Sequence, residues 1–367
     1  MEKKRINTAI WYEQYKRWQI KVQRDGERKT FSSCTPGRKG QIECNAKADA
    51  WLERGIVDAS MRLRKLYDRF IQDLKDNGNG QSAWRPLESF GNNWIKPYAG
   101  KYKMGDLTEQ HLQIVLNAAA QKGLSKKTLK DIRGAITKFL KYARKCGTTT
   151  LRPEDLEISS KAPISNRRSM QPDDIKILFT ATKTTYNGKI VDDWYIYAYR
   201  FSVLCGLRPG ELVGIRNTDI KDNSVTIKRA YNIYDEETDG KNKNATRTIC
   251  LPELAIHAIT QQRKMLRRAN IISHYLFPRQ DGSRTSQEYI KGYWDRYREY
   301  NGISKITPYE LRHTFASVAK DVSGEKLKAV MGHSETMDSK GVYSHELEGE
   351  AQETANIINA LFERLIK

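Results

Sequence analysis

Two arginines, a histidine and a tyrosine stand in an order that suits chemistry on a phosphodiester. Arg208 lies in the stretch GLRPGEL, and Arg312 lies in the stretch YELRHTFAS. His333 follows in MGHS, and Tyr343 comes ten residues after that histidine and 31 after Arg312. An arginine fork binds two phosphate oxygens and stays charged, a histidine can donate to the same phosphate, and a phenol can attack phosphorus in line. These types and spacings indicate cleavage of a phosphodiester by a tyrosine nucleophile.

The residues after Arg208 indicate how its side chain is presented. Pro209 and Gly210 break the local pattern and favour a helix start, and Glu211 could orient the guanidinium. Negative charge builds up around phosphorus in the reaction, so fixed positive charge there lowers the barrier. The alternative interpretation is a surface arginine in a turn.

Together, the four residues and the stretches around them resemble the tyrosine recombinases, the family of phage and conjugative-transposon integrases. The likeness runs from about Met170 to Glu346 and is weaker upstream. It implies a site-specific recombinase that integrates and excises a mobile element through a 3′-phosphotyrosine intermediate and a Holliday junction. It implies that Tyr343 is the nucleophile. It also implies no metal and no nucleotide cofactor, since the phosphotyrosine keeps the bond energy for religation.

The resemblance implies two further catalytic positions. The family's lysine lies in a turn between two strands, and here that turn reads DGKNKNATR. Lys243, four residues before Arg247, is the preferred candidate, and Lys241 is the competitor. Either could protonate the leaving 5′ oxygen, and a solvated loop lysine is the alternative. Where the family usually has His or Lys, this chain has Tyr309, whose hydroxyl can bind a phosphate oxygen but is a poor base at neutral pH.

The composition favours a polyanionic partner. Lys and Arg number 64 against 44 Asp and Glu, which gives a formal net charge of +20. Such a field attracts nucleic acid first and an anionic membrane surface second. No apolar run approaches the roughly 18 residues that span a bilayer, and the start lacks the apolar core of a signal peptide. We therefore expect a cytoplasmic protein of a bacterial cell, held on DNA and not on a membrane.

The five cysteines are scattered and form no C-x-x-C pair. Neither a disulfide framework nor a zinc site is indicated, and reduced thiols fit best.

The elements that must position these residues divide the chain into three domains and a linker. We expect residues 1–54 to form a small β-sheet with a helix, which resembles the arm-type DNA-binding domain of integrases. Residues 55–160 read as a helical core-binding domain, 161–168 as the linker, and 169–367 as a mixed α-helical catalytic domain with a small antiparallel sheet. The predicted fold class is therefore multidomain and mainly α.

Alternation and turn residues predict two strands in the first domain, starting near Trp18 and Lys29, with a turn at 24–27. A helix over Asn45–Glu53 follows, with Asn45 as its N-cap. In the second domain, apolar stripes predict helices that start near Met61, after Thr108 and after Ser125.

The catalytic domain begins with a helix after Met170, since Pro172 and two acids suit a first turn. A buried helix over Asp192–Leu204 and a helix over Leu254–Arg268 are also predicted. Two strands, Ser224–Lys228 and Thr246–Pro252, flank the lysine turn.

Basic residues dominate residues 101–145 in an excess that is unusual for a merely soluble face, and they also cluster in residues 1–54 and at 167–168. Contacts with phosphates would position the protein without reading sequence, and a solvated basic face is the alternative. The residues that we expect to contact DNA are Lys21, Arg24, Lys29, Lys126, Lys127, Lys130, Arg133, Arg167 and Arg168.

An apolar stripe on the last helix, from Ala351 to the end, must be buried somewhere. In integrases such a tail docks on a neighbouring protomer, and packing on its own domain is the alternative. The resemblance thus implies double-stranded DNA with core-type and arm-type sites, and a homo-oligomer, a tetramer in synapsis. A DNA-bending or excision accessory protein is a further possible partner.

Three other functions compete with this interpretation. A non-catalytic DNA-binding protein of the same fold would have lost Tyr343 or an arginine, and none is lost. A type IB topoisomerase uses similar tyrosine chemistry as a monomer, and the apolar tail argues against it. A metal-dependent nuclease would need a cluster of acids suited to magnesium, which the sequence does not show.

Overall fold

The computed structural model describes residues 5–24, 27–53, 59–164, 168–238, 246–332 and 349–367. The chain divides into two compact units, Met1–Ser165 and Asn166–Lys367. Within the described ranges, no helix has both the length and the apolar character needed to cross a membrane.

A three-stranded antiparallel sheet and one helix form the start of the first unit. The strands are β1 (Ile10–Tyr12), β2 (Arg17–Arg24) and β3 (Glu27–Ser33), in the order β1-β2-β3, and the helix is α1 (Gly37–Glu53). The two predicted strands are confirmed as β2 and β3. They have their own small core because alternate residues face the helix. The buried apolar residues are Ala9, Ile20, Val22, Phe31, Cys44, Ala48, Trp51 and Leu52.

The predicted N-cap at Asn45 is wrong, because α1 begins eight residues earlier, at Gly37. Asn45 lies inside the helix, where its Oδ1 accepts from the Ala9 N–H at 2.8 Å and its Nδ2 donates to Thr8 Oγ1 at 2.9 Å. The amide therefore fastens the leading segment instead of starting the helix. Two glycines in the first turn hid the true start, since glycine is a poor helix former.

In the part of the first unit that follows residue 58 and is described, the helices are α2 (Leu63–Asp76), α3 (Gln81–Phe90), α4 (Lys96–Ala99), α5 (Glu109–Gln121) and α6 (Lys126–Lys145), with a π-helical turn at Gly91–Ile95 before α4. Three were predicted, and their starts are confirmed. Thr108 caps α5 in a reciprocal pair with His111, and Ser125 caps α6 by accepting from the Thr128 N–H. The predicted apolar stripes face one shared core.

The segment that follows α6 packs onto the same helices. Leu156 and Ala162 are buried among them. The Lys126 N–H donates to the Pro163 carbonyl at 2.8 Å, and Arg144 Nη1 donates to the Leu151 carbonyl at 2.8 Å.

The second unit surrounds the buried helix α8. Its helices are α7 (Pro172–Thr180), α8 (Ile196–Cys205), α9 (Pro209–Leu212), α10 (Glu253–Arg268), α11 (Gln287–Tyr300), α12 (Pro308–Val318), α13 (Gly324–Met331) and α14 (Glu350–Ile366). Its strands are β4 (Lys183–Tyr186), β5 (Lys189–Asp192), β6 (Ile220–Lys221), β7 (Ser224–Ile227), β8 (Ala230–Tyr231), β9 (Glu237–Thr238) and β10 (Arg247–Cys250). The sheet β10-β7-β6 is antiparallel and pairs Arg247 with Ile227. The two strands predicted around the lysine turn are confirmed as β7 and β10.

One predicted helix starts too early. Asp192 ends strand β5, and helix α8 begins only at Ile196. The reason is a hairpin in which Asn187 and Gly188 both have positive φ, at 49° and 74°, between β4 and β5. Asn-Gly in that conformation is the preferred two-residue hairpin turn.

Helix α14 packs on its own unit in this chain. Ile358 and Phe362 are buried in the core of the second unit, and the Phe362 ring lies 6.2 Å from that of Phe179. Asn359 Oδ1 accepts from the Leu254 N–H at 2.9 Å. Helix α14 therefore packs in cis, on its own unit, which was one of the two alternatives from the sequence. Docking on a neighbouring protomer stays a prediction.

Candidate active site

Arg208 is held at the start of α9 by one carboxylate. Its backbone N–H donates to Glu211 Oε2 at 2.9 Å, and its Nη1 donates to Glu211 Oε1 at 2.7 Å. Pro209 suits the first turn, because it lacks an N–H that would be unpaired there. The predicted helix start is confirmed, and buried Glu211 contacts both the main chain and the side chain of Arg208.

Arg312 lies inside α12 and is almost fully buried, with 2% exposure. Its Nη1 donates to the Gly206 carbonyl at 2.8 Å, and its Nη2 donates to the Met331 carbonyl at 2.6 Å. Its guanidinium also comes within 4.0 Å of Glu211. Gly206 ends α8 in the left-handed conformation, so Arg312 binds a carbonyl at a helix C-terminus, where positive charge is favoured.

A third arginine, Arg247, joins this group, although no motif in the sequence indicated a role for it. Its Nη1 and Nη2 donate to the two oxygens of Glu211 at 3.1 and 2.9 Å. Its Nε donates to the Val330 carbonyl at 2.7 Å. The only sequence signal was an arginine at the start of a strand that leads into the core.

Arg208, Arg247, Arg312 and Glu211, here called the arginine cluster, hold the end of α13. The carbonyls of Val330, Met331 and Gly332 accept from Arg247, Arg312 and Arg208 respectively. The last carbonyls of a helix have no partner within the helix, so guanidinium donors suit them well. Gly332 ends α13 in the left-handed conformation, with φ 63°. The chain is therefore fixed just before His333.

The arginine cluster holds more positive than negative charge. Burial alone would raise the pKa of Glu211, but the hydrogen bonds and charge of Arg247, and then Arg208, hold it below its ordinary value. Burial, and then the charge of Arg208, lower the pKa of Arg312 to about 10, although Glu211 opposes this. One carboxylate among three guanidinium groups leaves a local excess of positive charge, and a phosphate would relieve it.

Tyr309 lies at the surface, one turn before Arg312 on α12, with 46% exposure. Its ring meets the His313 ring edge-on, with centroids 5.2 Å apart. The hydroxyl is therefore open to a ligand.

Several predicted site residues lie outside the described residues: Lys241, Lys243, His333, Tyr343 and Arg167. The side chain of Arg24 is also outside them. Their roles stay predictions.

The first sheet separates two of the predicted DNA contacts. Lys21 is exposed and pairs with Thr30, whereas Lys29 is half-buried and pairs with Val22. Because side chains alternate between faces, Lys29 shares the core face with Val22 and Phe31. Its ammonium lies 5.7 Å from the centroid of the Phe31 ring. Lys21 and Lys29 therefore point away from each other.

The basic residues of α6 lie away from its buried stripe. Lys126, Lys130 and Arg133 follow one another at helical spacing on one side, and Lys127 is one step round. Two of them are already engaged. Lys127 binds Asp131 at 2.8 Å, and Arg133 Nη1 donates to the Leu156 carbonyl at 3.1 Å.

Arg168 belongs to the second unit and is tied to the start of α12. Its backbone N–H donates to Glu310 Oε1 at 3.0 Å. Its side chain is exposed.

Metal binding depends on how His, Cys, Asp and Glu side chains are grouped in the described part of the chain. There, no group of three or more His, Cys, Asp or Glu residues is placed to hold a metal ion. The five cysteines differ in exposure: Cys34 is exposed, Cys44 and Cys205 are buried, and Cys146 and Cys250 are intermediate.

Comparison of the sequence with known proteins gives a consistent result. Residues 168–350 match the model described as "Phage integrase family". The prophage integrase IntR of Escherichia coli K12 is 23% identical over 266 residues, which cover 65% of this chain and 62% of IntR. A XerC-like tyrosine recombinase of Caldanaerobacter subterraneus is 22% identical, with 71% and 73% of the two chains covered. The match thus spans less than two thirds of the length of IntR.

Solved structures share the fold and confirm the predicted fold class. The Tn1549 transposon integrase, solved with transposon right end DNA, aligns with a TM-score of 0.64 at 19% identity, covering 84% of this chain and 100% of that one. A lambda integrase dimer bound to a core site aligns with a TM-score of 0.59 at 18% identity, covering 94% and 99%. The match over residues 168–350 shows that the chain belongs to the phage integrase family of tyrosine recombinases.

Proposed function

We propose that this protein is a site-specific DNA recombinase, an integrase that cleaves and rejoins DNA strands through Tyr343. One observation carries the proposal beyond family membership. Arg208 and Arg312, which are 104 residues apart, meet at Glu211 and together hold the end of α13 next to His333. Family membership supplies the reaction class, and the arginine cluster supplies the place for the phosphate.

In this proposal the guanidinium groups of Arg208 and Arg312 bind the non-bridging oxygens of the scissile phosphate. Each guanidinium has five N–H donors, so its contacts within the protein leave capacity for an anion. The Tyr343 hydroxyl loses its proton to solvent as its oxygen attacks phosphorus, and the bond to the 5′ oxygen breaks. Lys243 gives that oxygen its proton, while His333 and Tyr309 donate to the phosphate. The resulting 3′-phosphotyrosine is attacked by a 5′ hydroxyl of the partner strand, which releases the tyrosine.

We further propose two kinds of DNA site. The helices of residues 55–160 would grip core-type sites, and residues 1–54 would bind arm-type sites. The solved lambda integrase structures are of a dimer on a core site and a tetramer on a Holliday junction. We propose the same stoichiometry here, with a DNA-bending or excision protein as accessory partner.

The test is covalent trapping by Tyr343→Phe. Protein is incubated with nicked suicide duplexes taken from the ends of the mobile element, and products are separated on a denaturing gel. We expect the wild type to form a covalent adduct. We expect Tyr343→Phe to form none, because phenylalanine has no oxygen to attack phosphorus, and still to shift the duplex on a native gel.

Tyr309→Phe serves as the matched control, since it removes a hydroxyl from the same site without removing the nucleophile. It should still form the adduct. Adducts that persist in Tyr343→Phe would exclude Tyr343 as nucleophile, and a wild type that binds but never forms adducts would contradict strand cleavage.

A further inference from the structure

In the arginine cluster, Arg208 and Arg312 donate to the protein from their two terminal nitrogens, and Arg247 donates from Nε as well. Arg247 uses both terminal nitrogens on Glu211 and its Nε on the Val330 carbonyl. Its side chain is 8% exposed, between 33% for Arg208 and 2% for Arg312, so the engaged donors and not the exposure set Arg247 apart. We propose that Arg247 is a positioning residue for strand cleavage, which acts through Glu211 and the end of α13 and does not touch the phosphate. This inference rests on the proposed function.

Glu211 is the first of the two parts that Arg247 holds. The carboxylate accepts four hydrogen bonds, two from Arg208 and two from Arg247. A carboxylate has about four lone-pair positions, so Glu211 is saturated. Without Arg247, a buried carboxylate would lose half of its donors and would shift toward the guanidinium groups that remain nearby, those of Arg208 and Arg312. Either shift moves a guanidinium that we assign to the phosphate.

The end of α13 is the second part. Val330 is the second-to-last residue of that helix, and its carbonyl lies 2.7 Å from Arg247 Nε. With that donor removed, two arginines instead of three would hold the residues that lead into His333. Arg247 therefore joins strand β10, which follows the lysine turn, to the segment that carries the histidine. Lysine cannot replace it, because a single ammonium on a flexible stem cannot occupy three fixed donor positions.

The same unit contains a matched arginine with a structural role. Arg229 forks onto Asp219 at 2.6 and 3.4 Å and donates to the Gly214 carbonyl at 3.0 Å. It is 14% exposed, and Asp219 is as buried as Glu211. The Asp219 fork lies outside the arginine cluster. The two arginines thus share chemistry and burial and differ in what they hold.

The experiment compares Arg247→Lys with Arg229→Lys in the full chain. Three quantities are measured: the melting temperature, the affinity for the suicide duplex by gel shift, and the single-turnover rate of adduct formation at saturating protein. For Arg247→Lys we expect unchanged duplex affinity and an adduct rate about a hundredfold lower, since a misplacement of about 1 Å can cost that much. Arg229→Lys should lower the melting temperature and leave the rate of the folded protein unchanged.

A double-mutant cycle supplies a readout that a purely structural role would not change. Arg208→Lys is combined with each of the two variants. If Arg247 acts through Arg208, the loss of rate in Arg208→Lys/Arg247→Lys is smaller than the product of the single losses. With Arg229→Lys the losses should multiply. Hydrogen exchange of the peptide over 324–332 should speed up only in Arg247→Lys.

Each outcome decides the proposal. A wild-type rate in folded Arg247→Lys, multiplying losses with Arg208→Lys, or unchanged exchange over 324–332 would overturn it. Glu211→Gln, which weakens the same fork from the other side, is measured in parallel in case Arg247→Lys does not fold. If neither variant folds, Arg247 is a structural residue and the proposal is wrong. A wild type without adducts would instead overturn the proposed function, and the exchange result would stand apart from it.

Discussion

Three arginines around one carboxylate differ most in how much of each side chain solvent can reach. Arg208 is 33% exposed, Arg247 8% and Arg312 2%. The sequence predicted Arg208, Arg312 and Glu211, because short stretches around them carry the pattern. It could not predict the role of Arg247, because that role depends on the register of β10 against α13, 83 residues further along the chain.

The exposures lead to different expectations for the two arginines that we propose to bind the phosphate. Arg208→Lys and Arg312→Lys should each slow single-turnover cleavage by about a hundredfold to a thousandfold, the usual effect of removing one donor to a developing charge. Arg312→Lys should also lower the melting temperature, because Arg312 binds two buried backbone carbonyls. Calorimetry beside cleavage assays checks both. Near-normal rates in either variant would contradict its role at the phosphate.

A buried carboxyl outside the arginine cluster gives a pH-dependent expectation. Asp193 lies before α8, and burial raises its pKa from 3.8 to about 7, against a hydrogen bond from the Tyr195 N–H and the charge of Arg296. The folded chain therefore holds a proton that the unfolded chain releases. Asp193 makes its full contribution to the free energy of unfolding below pH 3.8, and this contribution is lost as the pH rises through 7.

Asp193→Asn should remove this pH dependence. We expect the free energy of unfolding of the variant, relative to wild type, to rise between pH 5 and pH 8. Urea unfolding at both pH values measures it, and other titrating groups cancel in the difference. Asp192→Asn is the control, since Asp192 is 74% exposed. An equal difference at both pH values would show that Asp193 does not titrate in this range.

At the level of elements, the sequence predicted most starts where a polar cap precedes an apolar stripe. Thr108 and Ser125 are such cases, and Pro172 marks a third start as the first residue of its helix. The predicted helix starts were wrong where neighbouring residues favour a different local structure. Glycines in the first turn of α1 made its start unrecognisable from the sequence. The turn at Asn187-Gly188 places Asp192 in a hairpin strand instead of in helix α8. Helix α3, with Pro86 inside it, gave no clean period.

Gly206, which ends helix α8, is expected to matter for both stability and cleavage. Gly206 has φ 60°, and an added Cβ would lie 2.4 Å from the Phe315 ring, while its carbonyl binds Arg312. Left-handed strain alone costs a residue other than glycine about 1–2 kcal/mol. Gly206→Ala should destabilise the protein by more than this, because the Phe315 ring must also move. Cleavage should fall with the displaced carbonyl.

Gly123→Ala isolates the strain, since Gly123 has φ 76° and open space around it. Urea unfolding and adduct assays compare the two variants. If both lose the same stability and both cleave normally, Phe315 yields easily and the Gly206 carbonyl does not guide Arg312.

For the whole molecule, the sequence predicted a mainly α chain with small sheets, since the apolar periods are clear. It could not decide where α14 docks, because an apolar stripe fits any apolar surface. Within this chain Ile358 and Phe362 are buried against residues of the same unit. Docking in trans would therefore require these side chains to leave the core first.

Phe362→Ala tests the cis position in the DNA-free protein. We expect it to destabilise by about 3–5 kcal/mol, the usual cost of a buried Phe→Ala change, with a lower melting temperature. Ile357→Ala is the control on the same helix, because Ile357 is 40% exposed. Equal melting temperatures for both variants would mean that α14 leaves its own unit in solution.

The sharing of Glu211 among three arginines also limits how the site can be transplanted. In a chimera that takes the Arg208 segment from a relative, the new guanidinium would need the Glu211 carboxylate. That carboxylate is also bound by Arg247 and lies near Arg312. Its outer nitrogen must meet the Gly332 carbonyl, on another helix. Segments 206–212, 247–250, 308–318 and 324–332 would have to be exchanged as one set, although they are far apart in the sequence.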